Sequence, residues 1–461
     1  MRINRNSVDM CDGPLLKNII IYTVPIILTG VLQLLFNTAD LAIVGQYCGE
    51  NPLSAVGATG SLINLIVNLF MGLSVGVGVV VAQGLGAKDV NTVRKTVHTA
   101  IPAALVGGVV LTIVGVFGAK LFLTWMDTPD EVLSLAALYM RIYFTGIIPI
   151  LVFNFGASIL RAAGDTKSPL IYLSSAGVLN VALNLVFVLC FGMDVDGVAL
   201  ATTITQTLAA ILVVRALMKR DDACRLSLKD LKFHKRELIR IIKIGLPAGI
   251  QGTIFAVSNV IIQSSINSFG QVVLPGNTAA ANIEGFVYVS MNAFHHTAMN
   301  FIGQNVGARK PERINKILLN CLLLVAGTGF ILGISGFIFA RPLLSIYVSD
   351  SAAAISYGIT RMSYISALYF TCGMMDVMTG AIRGMGSSVA PMIVTIIGVC
   401  GVRITWIFTI FKIPQFHSLE TLYVSYPVSW IATFLVQIVF FIVIKRRLEK
   451  KMAERTDLKY V

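Results

Sequence analysis

Long apolar runs recur along the whole chain and are separated by short polar connections. Each run is long enough to cross the hydrocarbon core of a bilayer, which takes about 20 residues in an α-helix. We therefore predict twelve spans, at residues 18–44, 54–82, 97–122, 131–158, 169–191, 196–217, 238–268, 278–303, 317–340, 353–381, 390–411 and 421–444. No interval between them is long enough for a separate soluble domain. The pattern predicts an all-α integral membrane protein.

The second six spans repeat landmarks of the first six about 222 positions later. The matched pairs are Pro25–Asn37 with Pro247–Asn259, Gln83–Lys88 with Gln304–Arg309, and Leu160–Gly164 with Ile382–Gly386. Because each half holds an even number of spans, both halves begin on the same side and form parallel repeats. We predict an N-terminal lobe at 1–217, a cytoplasmic linker at 218–237 and a C-terminal lobe at 238–461. Two such lobes can rock about a central site, as alternating access requires.

Composition agrees with a membrane protein, since 56% of residues are hydrophobic and only 13% are charged, against roughly a quarter charged in soluble domains. The net charge of +13 could indicate nucleic acid, but 30 of the 36 Lys and Arg residues lie in the termini and in the connections after even-numbered spans. Lys and Arg are retained on the cytoplasmic side. We predict no nucleic-acid partner and a multi-pass protein of the cell inner membrane with both termini cytoplasmic.

Signatures of catalysis and of bound groups do not occur in the sequence. The seven cysteines are scattered, with no C-x-x-C pair or Cys/His cluster at metal spacing. Neither a Walker motif nor a Ser/His/Asp set is found, and the run Gly72–Gly78 lies inside an apolar span, where small residues allow helices to pack closely. We therefore expect no enzyme activity, no ATP-driven pumping, no cofactor and no structural metal.

Polar residues inside the spans are the candidate functional positions, because an ionisable side chain in the hydrocarbon region is costly unless it faces protein or water. Gln33, Asn37 and Asp40 are spaced by four and three, so they share one face of the first span. Asn180 and Asn184 are one turn apart on the fifth span, as are Thr202 and Gln206 on the sixth. The alternative is that Asp40 and the Asn residues are interhelical hydrogen-bonding groups without a functional role.

The chain resembles the multidrug and toxic compound extrusion transporters. The resemblance rests on Asn37–Asp40 followed by Val44-Gly45, on the Q-x-x-G-A-[KR] turn after the second and eighth spans, and on the [LI]-R-x-x-G turn after the fourth and tenth. It implies a V-shaped pair of six-helix bundles that exports organic compounds in exchange for inward protons or Na⁺. The wider superfamily also includes flippases for lipid-linked sugars, so a flippase for a lipid-linked precursor is the alternative.

In this family a cation site in the first lobe combines a first-span Asp, polar residues of the fifth span and a Thr of the sixth, which match Asp40, Asn180 and Thr202. The sequence departs from the family at Asn184, where many members carry a second carboxylate. A single carboxylate should bind bare Na⁺ less well, and in a low dielectric it tends to take up a proton. We therefore favour H⁺ over Na⁺ as the coupling ion.

The second half carries a different polar stripe on the eighth span, made of Glu284, Tyr288, Asn292 and His295. Asp376 lies on the tenth span. By the repeat, Asp376 corresponds to Asn154, whereas Asp40 corresponds to Ile262. Our candidates for lining a substrate cavity are Gln33, Asn37, Asn154, Gln206, Glu284, Tyr288, Asn292, His295 and Asp376.

Two ionisable residues of the second half call for partners. We expect Glu284 either to have a substrate or coupling role or to form a structural pair with His295, His296 or Arg403. Arg403 should pair with a carboxylate, Asp376 being the nearest candidate, or with backbone carbonyls. The expected substrates are small amphipathic organic cations, the only other partners are membrane lipids, and a monomer with no obligate protein partner is expected.

Overall fold

A computed structural model describes residues 7–126, 128–270, 272–348 and 351–457, and every regular element within them is helical. The first repeat comprises α1 (Leu15–Tyr47), α2 (Glu50–Gly86), α3 (Val90–Trp125), α4 (Asp130–Thr145), α5 (Ile147–Ala162), α6 (Lys167–Leu185) and α7 (Val195–Met218). The second comprises α8 (Lys235–Asn267), α9 (Val273–Gly307), α10 (Pro311–Ile338), α11 (Ala340–Tyr347), α12 (Ala352–Ile365), α13 (Tyr369–Gly384), α14 (Val389–Thr395), α15 (Val402–Phe408) and α16 (Leu419–Asp457).

Within these ranges, ten helical segments are long and apolar enough to cross a membrane, and α4 and α5 counted as one bent span make eleven. The remaining predicted span corresponds to α9, which is 35 residues long but is not among them. Asn, His, Gln and Glu side chains occur along α9, and they lower its hydropathy. The all-helical membrane architecture is confirmed.

Four predicted spans are not single α-helices. The fifth, predicted at 169–191, consists of α6 followed by a π-helical segment at Val186–Cys190. The span predicted at 131–158 consists of α4 and α5, which meet at Gly146 with a bend of 47°. Pro149 has no N–H to donate to the carbonyl of Thr145, so the helical ladder is interrupted there. The tenth span contains a short 3₁₀ turn between α12 and α13, and the eleventh contains a π-helical segment between α14 and α15.

The repeat is visible in the backbone geometry of its turns. Lys88 and Arg309 follow the ends of α2 and α9 with φ of 56° and 55°, the left-handed conformation that commonly ends a helix. In both turns a backbone N–H donates to the carbonyl five residues earlier: Asp89 donates to Gly84, and Lys310 donates to Asn305. Gly164 and Gly386, after α5 and α13, have φ of 88° and 90°. The predicted equivalence of the two halves is therefore confirmed at these turns.

The chain packs as two compact units. The first comprises Met1–Asp9 and Leu28–Thr253, and the second comprises Met10–Ile27 and Ile254–Val461. The beginning of α1 thus belongs to the second unit and the beginning of α8 to the first. The sequence repeat and the packing units differ at these two helix beginnings.

The linker after α7 is an ordered part of the first unit. Arg220 forms an ion pair with Asp222, and the backbone N–H of Ser227 donates to His98 Nε2 at 3.0 Å. The ring of His98 in turn contacts the carbonyl of Arg94 through Nδ1. Burial raises the pKa of the Cys224 thiol to about 12, so this cysteine is protonated and unreactive at neutral pH.

Small residues let α2 and α8 approach closely within the first unit. A Cβ atom added at Gly72 would overlap the backbone of Gly245 and Gly249, and one added at Gly76 would overlap the carbonyl of Ile241. The predicted packing role of the glycine run is therefore visible at Gly72 and Gly76.

We expect Gly72→Ala to destabilise the protein by about 1–3 kcal/mol, because the backbone of α8 cannot move away without disturbing the unit. The measurement is the thermal unfolding of the purified protein in detergent. Gly60→Ala is the matched control on the same helix, since a Cβ there meets no atom within 4 Å. Equal melting temperatures for the two variants would contradict the close contact.

Candidate functional site

A cavity of about 60 Å³ lies beside Asp40 in the first unit. The polar stripe of α1 forms one wall, and residues of α6 and α7 form the others. The lining residues are Gln33, Phe36, Asn37, Asp40, Leu173, Ala176, Gly177, Asn180, Thr202, Thr205 and Gln206. A water molecule needs only some 10–15 Å³ measured in this way, so the cavity has room for several waters or for a partly hydrated cation.

A chain of hydrogen bonds leads from Asp40 into α6 and α7. Asn184, which is fully buried, donates from Nδ2 to Asp40 Oδ1 and to Asn180 Oδ1. Asn180 Nδ2 donates to Thr202 Oγ1 at 3.4 Å, and Thr202 donates to the carbonyl of Val198. Both N–H groups of Asn184 are used, while its Oδ1 is buried without a donor. The Asp40 carboxylate thus accepts one hydrogen bond from Asn184, and the other bonds hold Asn184 and Asn180 in place.

The chemistry that this arrangement allows is reversible binding of a cation. Asp40 is the one carboxylate among the residues that line the cavity, and amide and hydroxyl oxygens surround it. Such a group can take up a proton, or it can share a hard cation with neutral oxygens. Tyr139 of α4 lies near enough to interact electrostatically with Asp40. Sequence reasoning had not selected this tyrosine.

Not every predicted residue of the first half reaches the cavity. Asn154 donates to the carbonyl of Ile150 within its own helix at 2.8 Å and does not line the cavity around Asp40. Asn184 touches the site through its hydrogen bonds rather than through the cavity surface. The structure therefore brings together Gln33, Asn37, Asp40, Asn180, Asn184, Thr202 and Gln206 and leaves Asn154 apart.

Glu284 forms a buried ion pair in the second unit. Arg361 of α12 donates from Nη2 to Glu284 Oε2 at 2.7 Å and from Nε to both carboxylate oxygens at 3.2 Å. The same guanidinium donates to Asn277, which also accepts from Tyr423. Glu284 and Arg361 are 3% and 7% exposed. Of the alternatives, the geometry favours a pair, and its partner is one that the sequence had not suggested.

Asp376 gathers the rest of the second polar stripe. The side chains of Tyr288 and Asn292 lie beside its carboxylate, and the ring of His295 contacts its backbone carbonyl through Nδ1 at 2.8 Å. Arg383 faces the other ring nitrogen of His295 at 3.5 Å. A guanidinium can only donate, so Nε2 accepts and Nδ1 carries the proton. His295 is therefore held as a neutral ring.

The expectation that Arg403 pairs with a carboxylate or with carbonyls is wrong. Its Nε donates to Ser429 Oγ at 2.9 Å, and its guanidinium carbon lies 4.1 Å from the ring centre of Tyr426. Trp430 and Phe255 lie at 5.5 and 5.8 Å. Aromatic faces attract cations through their quadrupole, which is why this arginine can be buried without an acid beside it.

A row of aromatic rings in the second unit was not predicted. Tyr426 contacts Trp430, Trp430 contacts Tyr369, and Tyr369 stacks on Tyr288, with centroid distances of 5.8, 5.2 and 6.5 Å. A signal was present in the sequence, since Tyr423, Tyr426 and Trp430 are spaced by three and four and so share one face of α16. Tyr288 belongs both to this row of rings and to the polar stripe of α9.

Comparison with known proteins gives one family. The MatE family model matches this chain twice, at residues 25–186 and at residues 247–409. The two matches are offset by the same interval as the sequence repeat. Together they cover more than half of the chain, including the helices that bear Asp40, Asn180, Glu284 and Asp376.

Several curated proteins and solved structures are similar over nearly the full length. The probable multidrug resistance protein YpnP of Bacillus subtilis is 24% identical over 84% of this chain and 87% of its own. The probable multidrug resistance protein NorM of Thermotoga maritima is 25% identical over 86% of each chain. The structure of a MOP superfamily transporter from Pyrococcus furiosus is 20% identical, with a TM-score of 0.91 over 97% of this chain and 100% of that one. The structural likeness shows a shared fold.

Proposed function

Because the chain belongs to the MatE family, whose members are transporters and not enzymes, we propose that it exports amphipathic organic compounds in exchange for inward-moving cations. Organic cations are among the proposed substrates. The observation that carries the proposal is the cavity beside Asp40, in which a single half-buried carboxylate faces amide and hydroxyl groups. Relatives described as multidrug resistance proteins support the same direction of transport.

Export follows if the cation and the substrate favour different states of one alternating-access equilibrium. A ligand can shift such an equilibrium only by its difference in affinity for the two states. Binding of a cation changes the charge at Asp40, and with it the hydrogen bonds from Asn184 to Asp40 and Asn180. These bonds link α1 to α6, so the charge of Asp40 can bias the packing of the first unit.

The coupling ion that we propose is H⁺. Asn184 directs an N–H rather than an oxygen toward Asp40, and no second carboxylate lines the cavity. Both features favour a carboxylate that alternates between charged and protonated forms over a cage of oxygens for Na⁺. A site with one carboxylate compensates a bare metal cation less well than a site with two.

The direct test is transport by the purified protein in proteoliposomes, with pH and Na⁺ gradients imposed separately. We expect movement of a dye such as ethidium under an inward H⁺ gradient and none without a gradient. Movement of the dye under a Na⁺ gradient alone would show that the coupling ion is Na⁺ and not H⁺. Movement of a lipid-linked sugar without any effect on the dye would instead support a flippase.

Asn184→Asp tests the coupling ion. A second carboxylate beside Asp40 should strengthen Na⁺ dependence, or raise the pH of half-maximal transport because like charges repel and favour protonation. The measurement is transport rate against pH, at several Na⁺ concentrations. A profile identical to that of the unchanged protein would place Asn184 outside the coupling site.

We also propose that the protein functions as a monomer in the cell inner membrane with both termini on the cytoplasmic side. Lys229 in the linker and Lys450 near the end of α16 are exposed, so a cysteine at either position can react. In a cysteine-free background, Lys229→Cys and Lys450→Cys should resist an impermeant thiol reagent in intact cells and react after lysis. Labelling of either from outside the cell would contradict the orientation.

A further inference from the structure

Arg403 is a buried cation with unused donors. Its side chain is 1% exposed, one donor is satisfied by Ser429, and Nη2 is buried without an acceptor. None of the ion pairs found in the described residues includes it. A guanidinium keeps its charge under all ordinary conditions and presents a planar fork of donors. The fork is therefore available to an anion.

The acids of the second unit's spans are already committed to other groups. Glu284 is held by Arg361 through both carboxylate oxygens, and Asp376 interacts with the charge of Arg383 and lies beside Tyr288 and Asn292. Arg361, Arg383 and Arg403 are all buried, so three arginines stand against these two carboxylates. The excess positive charge lies at Arg403, the one of the three for which no acidic partner is found among the described residues.

Flat aromatic surface surrounds this charge. Tyr426 lies against the guanidinium, with Trp430 and Phe255 next to it. Beyond Trp430 the row continues through Tyr369 to Tyr288. Tyr426, Phe255 and Tyr369 are only partly buried, so the rings that cover the guanidinium reach the surface of the unit. The surroundings suit a planar aromatic ligand that carries the missing negative charge.

We propose that Arg403 and these rings bind the carboxylate end of a planar aromatic compound, so that exported compounds include aromatic carboxylates and zwitterions. A carboxylate matches the fork of a guanidinium through two parallel hydrogen bonds. A single negative charge balances the single unmatched arginine, whereas a doubly charged phosphate would leave an excess in a buried site. The export step rests on the function proposed above, while the binding step does not.

Binding is tested with the full-length protein in detergent, without any gradient, by isothermal titration calorimetry. The probes are 2-naphthoate and its neutral isostere 2-naphthamide. We expect the acid to bind at least about tenfold more tightly than the amide, the difference that one charge-assisted hydrogen-bonded contact represents. Equal affinities for the acid and the amide would overturn the proposal, and this comparison requires no variant.

Variants then locate the site. Arg403→Gln should abolish the preference for the acid while leaving the weak affinity for the amide, and Arg403→Lys, which keeps the charge but not the fork, should retain part of it. Lys412→Gln is the matched control, because it removes an exposed cation from the connection that follows α15, and it should bind as the unchanged protein does. A preference for the acid that persists in Arg403→Gln would overturn the assignment.

Two further experiments decide whether the bound anion is a lipid headgroup or an aromatic acid, and whether binding and export fail independently. If dihexanoyl phosphatidylglycerol displaces 2-naphthoate but other aromatic acids do not, the occupant is a lipid headgroup and the substrate assignment is overturned. If binding is intact but the unchanged protein exports nothing in proteoliposomes, the proposed function fails and the Arg403 site stands.

Discussion

Asp40→Asn is expected to abolish gradient-driven export while leaving a folded protein in the membrane. Asparagine keeps the size of the side chain and one oxygen, so the cavity lined by Asn37, Asn180 and Thr202 should persist. It can neither take up a proton nor contribute a full negative charge to a metal cation. Coupling should therefore fail with either ion. The measurement is dye transport in proteoliposomes under pH and Na⁺ gradients.

The control for this variant must remove a carboxylate without touching the cavity. Glu131→Gln does so, because Glu131 is exposed in the first turn of α4, and transport should be unchanged. Equal melting temperatures of Asp40→Asn and the unchanged protein would separate lost coupling from lost folding. If Asp40→Asn moves the dye at the normal rate, Asp40 has a structural role and coupling must be sought at Glu284 or Asp376.

The repeat and the spans could be predicted because each depends on local sequence. The bilayer sets the length of an apolar helix, and the turns at Lys88 and Arg309 need the same backbone conformation in both halves. The break at Gly146 was missed, although Pro149 signals it, because hydropathy alone does not register a missing N–H. Boundaries between packing units inside α1 and α8 depend on tertiary contacts and leave no mark in a hydropathy profile.

The candidate site divides in the same way. Gln33, Asn37 and Asp40 could be placed together from helical spacing within one span, and they line one cavity. The partner of Glu284 lies 77 positions away at Arg361, and Arg403 contacts a serine 26 positions away. Charge matching between spans had suggested Asp376 for Arg403, but the structure places aromatic faces and Ser429 around that cation. Partner choice across helices depends on depth and rotation, which one sequence does not specify.

Glu284→Gln is expected to cost more stability than any other single change considered, because it leaves the buried Arg361 without its counter-charge. Removing one member of a buried pair typically costs about 3–5 kcal/mol. Asn277 would still accept hydrogen bonds from Arg361 and from the Tyr423 hydroxyl, but neither Asn277 nor Tyr423 carries a charge. The variant should show a lower yield of monodisperse protein and a lower melting temperature in detergent.

Two controls decide whether the loss comes from the unpaired charge. Glu312→Gln removes an acid from the exposed first turn of α10 and should change the free energy of unfolding by no more than about 0.5 kcal/mol. The double variant Glu284→Gln with Arg361→Met removes both charges, and it should recover part of the lost stability, since no charge is then left buried without its partner. The difference between the double variant and the sum of the single ones measures the coupling. If Glu284→Gln melts at the normal temperature while transport is lost, the pair is not structural and Glu284 belongs to the transport machinery, together with Asp40.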